Sequence, residues 1–201
     1  FLFELSSRKR KQIKKERKAI HEYDGNIIQL TGKNITAEIW DYFWDFYQDT
    51  GARKWGSPYL TRSFFDIIHR TMRDDLLLVV AKRKEKYIAA ALNFIGRDTL
   101  FGRYWGCVES HSYLHYELCY YQAIEYALTH GLKKVEAGAQ GEHKLSRGYL
   151  PAITNSMHWF LNESFNQAII DYVKEEKILI QKQFNQILDH SPFKKNNGQK
   201  H

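Results

Sequence analysis

From Asp75 onward the apolar residues stop recurring at helical spacing and begin to recur as strands, and this change constrains the fold more than any other feature of the chain. Leu76-Leu77-Leu78-Val79-Val80-Ala81 is an unbroken apolar run, Lys84-Glu85-Lys86 a polar turn, and Tyr87 to Phe94 a second run. Gly96-Arg97-Asp98 turns the chain again, into a third strand over Thr99 to Gly106. Links this short leave successive strands little choice but to pair antiparallel, so the spacing predicts a three-stranded meander. A helix over 113–130 follows, with Gly131 in the C-cap place, then a strand over Leu132 to Ala137. Ile153 to Phe160 reads as a last strand and Asn166 to Asp189 as one long amphipathic helix.

Ahead of the meander, Asn26 to Thr31 is short and β-like. A stretch opened by Thr36 carries aromatics at helical spacing from Ile39 to Tyr47, which predicts a heavily buried helix. Gly51 to Pro58 reads as a loop and Thr61 to Met72 as another amphipathic helix. Strands in a meander with helices before and after give a mixed α/β (α+β) fold, a mainly antiparallel sheet flanked by helices.

A chain of 201 residues, 43% hydrophobic and 15% aromatic, can bury a sizeable core. It starts at Phe1, shows neither a signal-peptide pattern nor an apolar run of membrane-spanning length, and reads as a piece of a longer protein. Cys107 and Cys119 are too few for a disulfide framework and lack zinc-site spacing, so buried thiols in a reducing, cytoplasmic compartment are expected. No metal is expected, since His143 beside Glu142 does not form a His-Glu-x-x-His arrangement.

The net charge of +7 is concentrated at the start of the chain. Residues 1–20 hold eight Lys or Arg (Arg8, Lys9, Arg10, Lys11, Lys14, Lys15, Arg17, Lys18) against Glu4 and Glu16, and the span 21–193 is slightly acidic. Ser6-Ser7 caps this run and good helix formers continue it, with Ile13 and Ile20 one heptad apart. The expectation is a basic linking helix over 1–22 touching the body along a thin apolar seam. Its charge suits a solvated linker or a polyanion such as tRNA, but no aromatic lies between residues 4 and 22 to stack on bases.

The chemistry concentrates between Tyr104 and Pro151. On a helical wheel, Leu114, Tyr121, Leu128, Ile124, Tyr113 and Tyr120 fall within roughly 60° of Glu117. Glu117 therefore sits in the middle of an apolar stripe, where burial favours the neutral acid and makes it a candidate base. The alternative is a buried ion pair with Arg103, Lys144 or Arg147. Past the next strand, Ala137-Gly138-Ala139-Gln140-Gly141-Glu142-His143-Lys144 and Arg147-Gly148-Tyr149 alternate small residues with donors, acceptors and a histidine that titrates near neutral pH.

Gly102-Arg103-Tyr104-Trp105-Gly106, Leu114-His115-Tyr116-Glu117-Leu118-Cys119-Tyr120-Tyr121-Gln122, Glu136 to Lys144 and Arg147-Gly148-Tyr149-Leu150-Pro151 together resemble the FemAB-like predicted N-acyltransferases of bacteria. So do Ser7 to Ile13 and the Lys54-Trp55-Gly56-Ser57-Pro58-Tyr59-Leu60 loop, so the resemblance covers essentially the whole chain. It implies the C-terminal half of a protein built from two GNAT-like domains. Residues 23–193 would be the second of these, 194–201 a disordered tail, and an N-terminal GNAT-like domain of the same full-length chain a partner. It implies distant kinship with enzymes that add amino acids from aminoacyl-tRNA to peptidoglycan precursors, with acyl-CoA or aminoacyl-tRNA as donor and a small-molecule or peptide-like amine as acceptor.

GNAT acetyltransferases cradle the CoA diphosphate on a glycine-rich turn at a helix start, and no clean copy follows the third strand. Gly106-Cys107-Val108-Glu109-Ser110-His111 has one glycine, and an acid where phosphate would approach.

Direct N-acyl transfer then needs a base, for which Glu117 and His143 are candidates, and an acid, for which Tyr104 is one. Gln140 and the amides around Gly138 and Gly141 would serve the oxyanion, and Arg103, Glu142, Lys144 and Arg147 would bind substrate. A nucleophilic Cys119 is disfavoured because it falls off the apolar face. A non-catalytic module recognising peptidoglycan or RNA on the same fold is the alternative from another class.

Overall fold

A computed structural model describes every residue except 22, 23, 55, 57, 139, 140 and 195–201. Of the residues singled out above, Trp55, Ser57, Ala139, Gln140 and the tail beyond Lys194 lie outside the described set. The chain divides into two compact units, residues 11–141 and residues 1–10 with 142–201.

The larger unit contains most of a basic helix, α1 (Ser7–His21), then β1 (Asn26–Thr31), α2 (Ala37–Lys54), α3 (Arg62–Met72), β2 (Leu76–Arg83), β3 (Lys86–Ile95), β4 (Thr99–Cys107), a helix α4 over residues 114–129 and β5 (Lys134–Glu136). The strands lie side by side in sequence order. β1 to β4 pair antiparallel, as the turn spacing required, and β5 joins β4 in parallel because α4 carries the chain back across the sheet. The sheet is thus mixed and mainly antiparallel.

β2 shows no polar alternation because both its faces are covered. Leu76, Leu78 and Val80 meet Ile39, Trp40, Phe43 and Phe46 of α2 and Phe65 and Ile68 of α3, so the aromatic stripe of α2 is core as expected. Leu77, Val79 and Ala81 point the other way, to Ile20 of α1 and Leu114, Leu118, Ala123 and Tyr126 of α4. Each such large side chain, fully buried, contributes about 1.5–3 kcal/mol, which makes β2 the spine of the unit.

β4 carries one irregularity. Leu92 pairs with Tyr104 and Asn93 with Gly102, which leaves Arg103 as the extra residue of a β-bulge. Parallel pairing with β5 covers only Thr99 to Phe101 and stops short of the bulge. Beyond it, Gly106 lies against α2, where an added Cβ would fall 2.4 Å from the Phe46 carbonyl group.

α4 departs from the wheel. Its turn Glu117–Tyr121 is a π-helix, wider than an α-turn, and this resets the phase of everything after it. Leu118, Ala123, Tyr126 and Ala127 are buried, whereas Leu128, which the uniform wheel placed in the stripe, is 62% exposed. The helix ends at Gly131, whose φ of +70° an L side chain rarely adopts. There the Leu132 N–H closes on the Ala127 carbonyl at 2.9 Å.

In the smaller unit, Leu5 bridges to Phe193, the Ser6 N–H donates to the Pro192 carbonyl at 2.9 Å and the Lys194 N–H to that of Glu4 at 2.8 Å. A short 3-10 helix spans Glu142–Arg147, and α5 (Glu163–Asp189) is capped by the Asn162 side chain, which accepts from the Phe165 N–H. No residue of α5 is buried. The strand expected over Ile153 to Phe160 is not formed. That segment has no regular structure and Met157 is fully exposed, because β-propensity makes a strand only where another strand supplies the hydrogen bonds.

Gly106→Ala is expected to cost about 1–3 kcal/mol through overpacking against Phe46, read as a lower urea midpoint at unchanged slope.

Candidate active site

The end of β5 pairing at Phe101 leaves one edge of β4 without a strand partner among the described residues. At Cys107 α2 takes over: Thr50 Oγ1 accepts from the Cys107 N–H at 3.2 Å, and Arg53 Nη2 donates to the Cys107 carbonyl at 2.8 Å. The open stretch is therefore short and runs from Arg103 to Gly106.

Tyr104 projects from this stretch toward α2. Its ring lies edge-on to Tyr47 with centroids 5.5 Å apart, and the Arg103 guanidinium sits 5.5 Å from its centre. Its hydroxyl shares a short hydrogen bond with that of Tyr59, a residue 73% exposed on the loop before α3. Tyr47 orders that loop by accepting from the Leu60 N–H at 3.3 Å. Burial, then the Tyr59 hydrogen bond, push the Tyr104 phenol up to about 12, so it stays protonated through the physiological range and can donate. On the opposite face of β4, Trp105 meets His115 with centroids 5.2 Å apart, and His115 packs in turn on Tyr116 and Tyr120.

Glu117, 3% exposed in the π-turn, is held by α1. Arg17 donates from Nε to Oε2 at 3.1 Å and from Nη2 to Oε1 at 2.9 Å, and Gln122 Nε2 adds a third bond to Oε1 at 2.8 Å. The same guanidinium reaches Glu125 at 2.6 and 3.0 Å. Burial pulls the Arg17 pKa down, but the bonds to Glu125 and Glu117 outweigh it and raise it above the ordinary value. One residue earlier, Glu16 accepts from the Tyr121 hydroxyl at the other end of the π-turn.

The buried ion pair is thus formed, with a partner that is none of the three cations considered from the sequence. A signal was present: between Lys11 and Ile20, Arg17 is the cation on the Ile13 side of the helix. No local pattern singles out Tyr59, which reaches Tyr104 only through the fold.

The remaining candidates fall as follows. Tyr104 belongs to the α2 face of the sheet and Glu117 to the helix covering the other face, so the sheet separates these two. Arg103 is exposed at the bulge. Gly138 and Gly141, past β5, have φ values of +77° and +109°. In the smaller unit, Glu142 and His143 are exposed and Lys144 is half-buried. Arg147 is buried and donates to the His143 carbonyl at 2.8 Å.

The turn between β4 and α4 is where a diphosphate cradle would lie. Glu109 occupies it, bound by Arg83 at 3.1 Å and His111 at 3.2 Å, which hold its carboxylate below the usual range. His111 comes first in that effect. The left-handed residue before the helix is Tyr113, not a glycine. An anionic side chain already bound by Arg83 and His111 does not suit a CoA diphosphate.

The sequence matches the FemAB-like family, described as peptidoglycan biosynthesis/recognition, over residues 1–195. The chain belongs to this family. No curated protein sequence matches it. Among solved structures, it is similar to an aminoglycoside acetyltransferase from an uncultured soil metagenomic sample (9% identity, 70% of this chain and 97% of that one, TM-score 0.47). It is also similar to a possible acetyltransferase from Clostridium difficile 630 (9%, 69% and 99%, 0.49) and a GNAT family acetyltransferase from Staphylococcus aureus (12%, 67% and 98%, 0.45). With TM-scores below 0.5 these likenesses are distant.

Two outcomes follow for this FemAB-like chain. Arg17→Met strands a buried carboxylate and is expected to cost about 3 kcal/mol in urea unfolding, whereas adding Glu117→Leu recovers part of that loss. The folded-state pKa of Tyr104 lies above its ordinary value of 10.0, so its contribution is complete below pH 10 and is lost as pH rises toward about 12. Unfolding midpoints measured across that window are expected to fall less in Tyr104→Phe than in the natural chain.

Proposed function

We propose that this FemAB-like chain transfers an acyl or aminoacyl group to an amine at the open edge of β4. One observation carries the reading: the parallel β4–β5 pair ends at Phe101, and beside the edge left open stands a phenol, Tyr104, poised to give a proton. Membership of a family described as peptidoglycan biosynthesis/recognition supports acyl or aminoacyl transfer in general, with a cell-wall or peptide-like amine as acceptor.

The amine nitrogen attacks the donor carbonyl carbon, forming the new C–N bond. The bond from that carbon to the leaving oxygen or sulfur breaks, and the leaving atom takes the Tyr104 proton. Tyr59, exposed at its outer end and hydrogen-bonded to Tyr104, restores the proton from water. Backbone N–H groups on the unpaired edge of β4 serve the oxyanion, and Arg103 holds an acidic part of the substrate. The attacking nitrogen loses its proton to a base. That base is solvent rather than Glu117, both of whose oxygens already accept from Arg17 and Gln122. No step is drawn through CoA, whose diphosphate the β4–α4 turn does not suit, and aminoacyl-tRNA is the donor to try first.

The test is mass spectrometry of an amine-bearing peptidoglycan precursor incubated with the chain and isotope-labelled aminoacyl-tRNA or acetyl-CoA. Tyr104→Phe is expected to lower product formation roughly 100-fold with the fold intact at neutral pH, and Tyr59→Phe by a smaller factor. Unchanged turnover in Tyr104→Phe removes the phenol from the chemistry, and no mass gain with either donor removes the transfer reaction.

A further inference from the structure

α5 carries an apolar stripe from end to end, yet no residue of it is buried. Taking Ile180 as zero and about 100° per residue, Phe165, Ile169, Val173, Phe184 and Ile187 fall within roughly 60° of it. Phe165, Ile180 and Ile187 are exposed, and Ile169, Val173 and Phe184 are half-buried. At the start of the stripe Phe160 lies edge-on to Phe165, with ring centroids 4.7 Å apart. Among the described residues of the smaller unit, no other helix or strand packs along the length of α5. An apolar helix face of this extent calls for a partner.

The pattern of the stripe says which partner. Let a second copy of α5 run antiparallel to the first, with the twofold axis between Glu176 and Lys177. Phe165 then comes opposite Leu188, Ile169 opposite Phe184 and Val173 opposite Ile180, and symmetry repeats each pair. At the centre Glu176 comes opposite Lys177. These two residues interrupt the stripe, and among the described residues neither makes a hydrogen bond or an ion pair. The helix up to Glu176 holds four acids and one lysine, and the rest two lysines and one acid, so reversal sets unlike charges against each other. A parallel pair would instead set Glu176 against Glu176.

We infer that α5 pairs with α5 of a second copy of this chain, as an antiparallel helix dimer centred on Glu176 and Lys177. A helix of 27 residues is about 40 Å long, and half the circumference of a cylinder about 10 Å across is about 16 Å. Two such faces bury roughly 1,200 Å² in all, the lower end of what a specific interface needs. A lipid surface fits less well. Helices that lie in a membrane interface carry lysine and arginine on the polar face, whereas α5 is net acidic and would press Glu176 toward the acyl chains. The dimer stands or falls independently of the transfer reaction, because association is measured without turnover.

Sedimentation velocity of the whole chain with reductant present, from about 1 to 100 µM, is expected to show a shift from the mass of one chain to that of two. Ile180→Asp, at an exposed site, is expected to keep the folded circular dichroism spectrum and to remain monomeric throughout. Glu176→Lys and Lys177→Glu each turn both central pairs from attraction to repulsion and are expected to raise the dissociation constant roughly 10-fold. The double variant restores unlike charges and is expected to return the constant to within about threefold of the natural one. A natural chain that stays monomeric at every concentration overturns the inference, as does a dimer that survives Ile180→Asp. A double variant as weak as the single ones overturns the antiparallel pairing, and a monomer that floats with phosphatidylserine vesicles gives the stripe to a lipid surface instead.

Discussion

Much of this structure depends on one ion pair, Arg17 with Glu117. It joins a helix far up the sequence to the middle of α4, at the turn where α4 changes from α to π geometry. A buried carboxylate is costly unless its oxygens are filled, and here two guanidinium bonds and one amide bond fill them. The network continues outward, since Gln29 of β1 donates to Gln122 and Arg17 also holds Glu125. α1, β1 and α4 are therefore registered against one another by polar contacts as well as by the apolar layer beneath them. The π-turn is held at both ends, by Arg17 on Glu117 and by Glu16 on Tyr121, and the phase it imposes decides which side of α4 meets the sheet.

The sheet then partitions the chemistry. Its α1/α4 face is a locked, heavily bonded layer, whereas its α2/α3 face meets the open edge of β4 through Tyr104. Two features bound that edge: the early end of β5, and the Thr50 and Arg53 side chains that cap Cys107 in place of a strand. Gly106 allows α2 to come close enough for those side chains to reach. Beside that edge the Tyr104 phenol stays protonated, and its hydrogen bond to the exposed Tyr59 ties it to the loop before α3.

The sequence carried the meander, the buried aromatic helix, the seam of Ile13 and Ile20, and the cap at Gly131, because each rests on contacts or conformations within a few residues. It placed Glu117 in the core correctly and named the wrong partners for it. It put Leu128 in the buried stripe, since a uniform wheel cannot anticipate a turn that is widened by bonds to another helix. It read Ile153 to Phe160 as a strand from propensity, and the fold supplies no neighbour for it.

What the sequence determined by itself was local: periodicity, turn chemistry, charge placement and membership of a family with a legible set of motifs. What only the tertiary structure decided was pairing at a distance. Arg17 finds Glu117 across 100 residues and Tyr59 finds Tyr104 across 45, and the sheet keeps Tyr104 and Glu117 on opposite sides. Such pairings follow from how strands order and helices pack, and the energy that selects them is shared among many buried contacts, so no short stretch of residues encodes them.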